Sequence, residues 1–494
     1  MKQHPPLSLA TPLFPIGTTL SRRELLARSG LGFGSLALAG LMQDAGLLAS
    51  ESSSPSPTSG LAPREGPIQP KARAVIQLFQ NGGPSQIDLF DPKPELTKRA
   101  GQPYPGEVET LMSANRNVLM PGVYRFKKRG QCGMEFSDII PHLSTVVDDI
   151  CLIRSMHTEH NNHPFAINMF QTGKVLAGRP AMGSWMCYGL GTENQNLPCY
   201  VVLRDPEGYN TSGKMVWSNG WLPAVYQGTE FSSAGSPVHY MQPARSLPSE
   251  ARRRSLDLLN ELNREHVQYH PHHSELEARI ENFELAARMQ SVAGDILDIS
   301  NETAETRRLY GLDNSATAGY GLRCLLARRL VEAGVRFIQI HPPFTTNNTT
   351  QPWDNHSDVE GGLELICQRT DQPSAALIQD LLQRGLLDEV IVLWAGEFGR
   401  LPITEGENGR DHNRHAFSII MAGGGFKAGH IHGVTDEFGY QAIQDRVSVP
   451  DLHATLLHQL GLDHTNLTYR HSGRDERLTD PEVTGARVVH EVLS

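Results

Sequence analysis

Residues 74–85 read Ala-Val-Ile-Gln-Leu-Phe-Gln-Asn-Gly-Gly-Pro-Ser and indicate the class of fold. A short apolar, β-prone run is followed by an Asn-Gly-Gly-Pro turn signal, which predicts a buried strand that opens into a glycine-rich loop. Such a strand and loop usually begin an α/β sheet, and the loop then lies at the carboxyl edge, where ligands bind. We therefore expect this loop to border the functional site.

Apolar runs of the same kind recur along the chain. Further strands are predicted at 149–155, 197–203, 335–340, 389–394 and 417–421. Helices are predicted at 164–171, 374–384 and 449–460, and longer amphipathic helices at 252–266 and 274–289. Strands that alternate with helices predict an α/β protein with a mainly parallel sheet covered by helices on both faces. The charged helices at 251–330 are interpreted as a helical insertion.

Polar clusters follow four of the predicted strands. They lie at 81–91, at 156–163, at 341 with 353–358, and at 397 with 410–413. Because loops after parallel strands meet at one edge of a sheet, these clusters can converge. Carboxylates and imidazoles together suit Zn²⁺, Ca²⁺, Mg²⁺ or Mn²⁺, and a high share of imidazole favours zinc. Their placement on such a loop nominates Asp354 and His356 as metal ligands.

Each cluster also has a simpler structural interpretation. The segment 411–413 could be a turn held by Asx hydrogen bonds, and Glu397 could satisfy a helix N-terminus. His157, His160 and His163 could form an exposed polar loop. The sequence contains no GxSxG nucleophile elbow and no HExxH zinc motif.

Length, charge and cysteine usage exclude several classes of protein. The 494 residues are 39% hydrophobic and 20% charged, which is sufficient for a large core and argues against bulk disorder. The net charge of −10 argues against nucleic-acid binding as the main function. The 6 cysteines include no CxxC pair, which excludes zinc-finger and thioredoxin-type motifs. We expect zero to two disulfides if the protein is exported.

The N-terminus carries the features of an export signal. Arg22 and Arg23 precede a weakly apolar, Gly/Ala-rich run at 31–42, about half of the ~20 residues that span a bilayer. A twin-arginine (Tat) signal peptide is therefore predicted over 1–50, with a chance Arg-Arg pair as the alternative. A disordered linker is predicted over 51–70 and one domain over 71–494. The precursor would engage the Tat translocase through this signal peptide, and the mature protein would be periplasmic or secreted and, after cleavage, not an integral membrane protein.

Several motifs together resemble domain-of-unknown-function family 1501. These motifs are Asn-Gly-Gly-Pro-Ser at 81–85, Phe-Asp-Pro-Lys-Pro at 90–94, Met-Gly-Ser-Trp at 182–185, Gly-Glu-Phe-Gly-Arg at 396–400 and Gly-Arg-Asp-His-Asn at 409–413. Segments 163–173, 386–399 and 449–462 are similar to sulfatase segments. The resemblance covers about residues 70 to 490 and implies an alkaline phosphatase/sulfatase-like fold, often with Tat export.

By position, the resemblance places Asn81, Glu397 and His412 near a metal and His163 in the nucleophile slot. A sulfatase has its formylglycine-forming Cys at that slot, and a phosphatase has Ser or Thr. Members of the alkaline phosphatase superfamily usually have Asp at the two positions where this chain has Asn81 and Glu397. The usual two-metal site is therefore expected to be altered, reduced to one ion, or lost. His163 could be a nucleophile, a ligand or a general acid.

We predict an exported, metal-dependent hydrolase of phosphate or sulfate esters, with a small-molecule or polysaccharide ester as substrate. The candidate metal ligands, for one or two divalent ions, are Asp354, His356, Glu397, His412 and Asn81. The candidate catalytic residues are His163, His160 and His157, and the candidate substrate-binding residues are Ser85, Asn162 and Arg400. The alternative is a non-catalytic exported binding protein on the same fold, for example one that recognises sulfated polysaccharide.

Overall fold

A nine-stranded sheet forms the centre of the computed structural model, which describes residues 61–112, 114–232, 298–345, 351–494 and scattered positions between 254 and 297. In chain order, the strands of this sheet are β1 (Ala74–Phe79), β2 (Ile150–His157), β3 (Tyr200–Leu203), β4 (Thr229–Phe231), β5 (Phe337–Ile340), β6 (Val390–Ala395), β7 (Phe417–Ala422), β8 (His430–His432) and β9 (Val447–Ser448). The six predicted strands are confirmed as β1, β2, β3, β5, β6 and β7, whereas the short strands β4, β8 and β9 were not predicted.

The opening strand β1 lies inside the sheet, parallel to β5 on one side and to β6 on the other. The order across the sheet is β8-β2-β7-β6-β1-β5-β3-β4, and β9 pairs with β2. Strand β7 is antiparallel to both β2 and β6, and the remaining pairings are parallel. The predicted mainly parallel α/β fold is therefore confirmed. Strands β1, β2, β5 and β6 all end at the same edge.

Helices cover the sheet. The longer ones are α1 (His163–Thr172), α2 (Met182–Leu190), α3 (Ala318–Glu332), α4 (Val359–Gln383) and α5 (Val449–Gln459). Every residue of β1, β6 and β7 is buried, as expected for strands with both faces covered. The short helices are Gln86–Leu89, Pro94–Lys98, Ala304–Leu309 and Pro481–Thr484.

Short two-stranded ribbons extend from the loops. They pair Asn115–Leu119 with Ile403–Glu405, Phe126–Arg129 with Met134–Ser137, Gly399–Arg400 with His412–Asn413, Val434–Thr435 with Ala442–Gln444, and Tyr469–His471 with Arg474–Glu476. In the third ribbon Arg400 lies directly opposite His412. This pairing fixes two side chains of the candidate site side by side.

Two predictions need correction. The segment 61–70 is not a disordered linker, because Leu61 is buried and backbone hydrogen bonds join Leu61 to Thr192 and Ile68 to Gly461. Helix α4 begins well before the predicted start at 374. The Asp358 side chain caps its N-terminus by accepting from the Gly361 N–H, and the helix continues through a buried Pro373.

Other predictions fall outside the described residues. The signal peptide over 1–50 and residues 51–60 of the linker do so entirely, and the amphipathic helix predicted at 274–289 does so largely. Of the helix predicted at 252–266, nine positions are described, and all nine are helical. In the described part of the chain, no helix has the length and apolar character needed to cross a bilayer. All six cysteines are described, and Cys187 and Cys199 form a disulfide, within the expected number.

Buried histidines make the fold sensitive to acid. His453 on α5 is fully buried, and its ring nitrogen Nε2 donates a hydrogen bond to the Phe170 carbonyl at 2.8 Å. Burial lowers the pKa of His453 to about 4, whereas an unfolded histidine has a pKa of about 6.5. The folded state therefore binds a proton less readily, and stability falls as the pH drops from about 6.5 to about 4, by roughly 3 kcal/mol for this residue.

We expect the His453→Gln variant to lose less stability than the wild type between pH 7 and pH 4.5. Its amide can still donate to Phe170 but does not titrate. The measurement is the free energy of unfolding by denaturant at both pH values. The same pH dependence in both proteins would contradict this interpretation.

Candidate metal centre

Three imidazoles and one carboxylate converge at the carboxyl edge of the sheet. Asp354 Oδ1 lies 2.8 Å from His356 Nε2, 3.2 Å from His163 Nε2 and 3.3 Å from His412 Nε2. The Nε2 atoms of His356 and His412 lie 2.9 Å apart. One ligand atom from each of the four side chains lies within 4.8 Å of all the others. Segments that are remote in sequence therefore meet at one point.

The sheet brings these residues together. His163 is the first residue of α1, in the connection that follows β2. Asp354 and His356 lie on the loop between β5 and α4, and His412 lies on the ribbon that follows β6. Since β2, β5 and β6 end at one edge, the loops that follow them share a single polar surface.

The second ring nitrogen of each imidazole contacts an oxygen that acts as a hydrogen-bond acceptor. These contacts join His163 Nδ1 to Glu397 Oε1 at 2.6 Å, His356 Nδ1 to Glu405 Oε2, and His412 Nδ1 to the Asn161 carbonyl at 2.6 Å. Each Nδ1 therefore carries the hydrogen when the ring is neutral, and each Nε2 presents a lone pair to Asp354. Metal-binding histidines are oriented by partners of this kind.

This arrangement fits a divalent cation. Three lone pairs and a carboxylate oxygen repel one another unless a positive charge lies among them, and the close Nε2 atoms of His356 and His412 cannot both carry protons. His163 Nε2 is buried and makes no hydrogen bond of good geometry. Four nitrogen and oxygen ligands are typical of zinc, whose tetrahedral ligands lie roughly 3.3 Å apart. The observed separations of 2.8–3.3 Å are close to that value.

Arg400 fixes the carboxylate of the cluster. Its guanidinium contacts Asp354 Oδ1 at 2.5 Å, and its side chain is 1% exposed. The guanidinium also donates to the backbone carbonyls of Gly82, Gly83, Trp353 and Arg410. These contacts place Arg400 as a residue that positions Asp354, and its predicted contact with substrate stays a prediction.

The electrostatics of the cluster keep the carboxylate charged and one imidazole neutral. Burial alone would raise the pKa of Asp354, but Arg400 and the three imidazoles lower it well below its usual range. Burial, aided by Arg400, lowers the pKa of His412 to about 3 although Asp354 opposes this. Burial disfavours the charged form of His163, yet its contacts with Asp354 and Glu397 raise its pKa overall. An ionised Asp and a neutral His are the forms that bind metal.

Glu397 and Asn81 support the ligands and do not join them. Glu397 is fully buried, and its two oxygens accept from the Gly82 N–H at 3.0 and 3.1 Å while one of them also contacts His163. The Asn81 carbonyl accepts from the Trp353 N–H at 3.3 Å, next to Asp354. Both were expected among the metal ligands, but neither belongs to the four-residue cluster. Glu397 contacts the ligand His163, and Asn81 contacts Trp353, the residue before Asp354.

The remaining predicted site residues are not members of the four-residue cluster. His157 ends β2, and burial and Arg446 lower its pKa to about 4. His160 Nδ1 accepts from the Asn162 N–H at 3.0 Å, and the Asn162 side chain is partly exposed at the start of α1. Ser85 is buried and donates to Asp88 at 2.5 Å. Within the structure Ser85 therefore holds Asp88, and its predicted contact with substrate stays a prediction.

Sequence reasoning missed Glu405 and the Asn161 carbonyl, which orient His356 and His412. Neither position carries a recognisable motif, since a backbone carbonyl has no sequence signal. Asp411 also lies near His356 and Glu405. Its oxygens already accept from the backbone N–H groups of residues 111, 112 and 412 and from Asn115, so its role is to fix this loop.

Gly82 is required where the first loop passes under Asp354. Its φ of +119° disfavours other residues, and an added Cβ would lie 2.7 Å from the backbone nitrogens of Trp353 and Asp354. We expect Gly82→Ala to displace Asp354, to weaken metal binding and to lower stability by about 1–3 kcal/mol. Gly101→Ala is the matched control, because Gly101 also has a positive φ but nothing lies within 4 Å. Equal metal affinity and unfolding temperature in the two variants would contradict the prediction.

The sequence matches a family model over most of its length. The family model described as "Protein of unknown function (DUF1501)" matches residues 72–493. The comparison with curated proteins gave no match.

Three solved structures illustrate what the chain is similar to. The lipoteichoic acid synthase LtaP from Listeria monocytogenes is 10% identical with a TM-score of 0.35, covering 82% of this chain and 76% of that one. The phosphonate monoester hydrolase SpPMH from Silicibacter pomeroyi is 12% identical with a TM-score of 0.32 and coverages of 71% and 72%. The PsFucS1 sulfatase from Pseudoalteromonas sp. is 12% identical with a TM-score of 0.33 and coverages of 81% and 68%. At TM-scores below 0.5, these likenesses carry no weight for the activity of this chain.

Proposed function

The chain belongs to the DUF1501 family, and on that premise we propose that it is a metal-dependent hydrolase of phosphate or sulfate esters. The observation that carries the proposal is the convergence of three imidazole Nε2 atoms on Asp354 Oδ1, within 2.8–3.3 Å. His163, Asp354, His356 and His412 would hold one divalent ion, and zinc fits this set of donors best. When bound, such an ion supplies a Lewis acid that polarises an ester oxygen and makes water more acidic.

The residues around the ion site favour an anionic substrate. Arg400 offsets the charge of Asp354, and the His412 ring is neutral at pH 7 because burial lowers its pKa to about 3. The four ligand side chains themselves therefore add little net charge, although the carboxylates of Glu397 and Glu405 lie behind His163 and His356. A phosphoryl or sulfuryl oxygen would be attracted to an ion in this site at close range.

His163 acts as a ligand in this proposal and not as the nucleophile. Its Nδ1 is held by the buried Glu397 and its Nε2 faces Asp354, so the ring has no free nitrogen with which to attack an ester. Water is then the attacking group. The partly exposed Asn162, directly before His163, is the candidate to contact the substrate.

The test measures metal content and turnover on the same preparation. Purified protein is analysed for bound metals by mass spectrometry and then assayed with 4-nitrophenyl phosphate and 4-nitrophenyl sulfate. We expect about one equivalent of a divalent ion, and turnover that a chelator abolishes and added metal restores. Protein that binds no metal and leaves both esters intact after zinc is supplied would overturn the proposal and favour a non-catalytic binding protein.

We also propose that the protein is exported by the Tat translocase, because Arg22 and Arg23 precede the weakly apolar run at 31–42. Replacing both arginines by lysine is expected to leave the precursor in the cytoplasm. Cell fractionation followed by immunoblotting measures this, with Arg64→Lys as the control outside the signal. Normal export of the double variant would contradict the proposal.

A further inference from the structure

A small pocket lies against Asn81, beside the metal ligands. Its volume is about 10 Å³, which is enough for one water-sized group. We propose that this pocket binds a hydroxyl group of an uncharged, polyhydroxylated alcohol, such as a sugar or polyol, which forms the alcohol part of the ester. The link to the ester rests on the proposed function, whereas binding of the alcohol itself does not.

Aromatic rings form much of the wall. Tyr209 and Trp217 stack with ring centroids 6.0 Å apart, and the His341 ring meets Trp217 edge-on at 5.5 Å. Phe344 also lines the pocket. Apolar and aromatic walls with a few polar groups are typical of sites for small molecules.

Two buried polar groups of the lining lack hydrogen-bond partners in the described part of the chain. Asn210 is 7% exposed, and its Oδ1 accepts from the Ser212 N–H at 2.9 Å while its Nδ2 has no partner. His341 is 5% exposed, and its Nε2 has no partner. A hydroxyl group can accept from the amide and share a second hydrogen bond with the imidazole. Leaving such groups unpaired is costly, so both favour a ligand that pairs with them.

The charged groups of the lining already form ion pairs with other residues. Arg204 pairs at 2.9 Å with Glu230, which also binds Lys214, and Asp205 pairs with Arg323 at 3.1 Å. Burial, followed by Arg323 and Arg204, lowers the pKa of His341 to about 3, so this ring is neutral near pH 7. The groups that remain to be paired are therefore uncharged. They suit an alcohol better than a phosphate or sulfate.

The pocket and the metal ligands share a wall. Asn81 Nδ2 donates to Gln351 Oε1 at 2.8 Å, and the Gln351 carbonyl accepts from the Asp354 N–H at 2.9 Å. An ester whose phosphoryl or sulfuryl group is bound at the proposed ion site would therefore have its alcohol part near this pocket. The ion site would bind the charged group of the ester, and the pocket would bind its alcohol part.

The test uses saturation-transfer NMR with methyl glucoside as the hydroxylated probe and tetrahydropyran, the same ring without hydroxyls, as its control. We expect saturation transfer to methyl glucoside only. Asn210→Leu is expected to weaken this binding about 3- to 10-fold, the worth of one neutral hydrogen bond. Ser212→Ala, which alters a buried residue of the same loop outside the lining, is expected to leave it unchanged.

The outcomes separate this proposal from the proposed hydrolase. His356→Ala is expected to abolish ester turnover and to leave the methyl glucoside signal intact. Turnover without any signal, or a signal that Asn210→Leu does not reduce, would overturn the pocket assignment alone. A signal of the expected specificity in a protein without turnover would overturn the hydrolase alone.

Discussion

The His356→Ala protein is expected to bind zinc at least about 100-fold more weakly than the wild type. The variant removes the Nε2 atom that lies 2.8 Å from Asp354 and 2.9 Å from His412, and it leaves Glu405 without its partner. Loss of a partner behind a ligand typically costs 10–100-fold in affinity, and loss of the ligand itself should cost more. Competition with a chelating dye measures the affinity, and hydrolysis of 4-nitrophenyl esters should fall in parallel.

Two further variants serve as comparisons for the zinc affinity of His356→Ala. Glu405→Gln keeps a side chain near His356 Nδ1 but removes the charge, so its zinc affinity should fall by about 10–100-fold. His142→Ala removes an exposed imidazole outside the cluster and should bind zinc like the wild type. Equal affinities for His356→Ala and His142→Ala would show that the cluster is not the zinc site.

The largest loss of stability is expected from Arg410→Met, at about 3–5 kcal/mol. Arg410 and Asp88 form an ion pair at 2.9 Å, and both side chains are fully buried. Arg410 also donates to the carbonyls of Leu401 and Pro121. Removing only the guanidinium leaves an uncompensated carboxylate in the core, which is far more costly than the loss of an exposed ion pair.

Denaturant unfolding of the purified variant measures this loss. The control is Arg470→Met, whose partner Asp475 lies at 3.1 Å on the surface, where both side chains are more than half exposed. That variant should stay within about 1 kcal/mol of the wild type. An Arg410→Met protein as stable as Arg470→Met would contradict the assignment of Arg410 as a buried structural residue.

The sheet could be predicted because its strands carry a local signal. Strands β1, β6 and β7 are apolar runs buried on both faces, and each ends at a glycine or a polar turn. The rule that loops meet at the carboxyl edge then placed Asp354, His356 and His412 near one another. The structure brings these three together and adds His163 to them.

The details behind the ligands could not be predicted, because they depend on contacts between distant segments. Glu405 reaches His356 from a ribbon whose other strand is Asn115–Leu119. Glu405 lies outside the recognised motifs, whereas Glu397, which was nominated as a ligand, lies in the Gly-Glu-Phe-Gly-Arg motif directly after a strand. Helix α4 was also underestimated, because Pro373 is a strong stop signal in sequence but is tolerated inside this buried helix.

The contacts of Arg400 determine how firmly Asp354 is held in the cluster. Four backbone carbonyls and the opposite strand of its ribbon hold the guanidinium beside Asp354. These contacts therefore hold Asp354 in place without help from the three imidazoles. If the cluster binds an ion, removal of that ion should displace the imidazoles, which then repel one another, and leave Asp354 where it is.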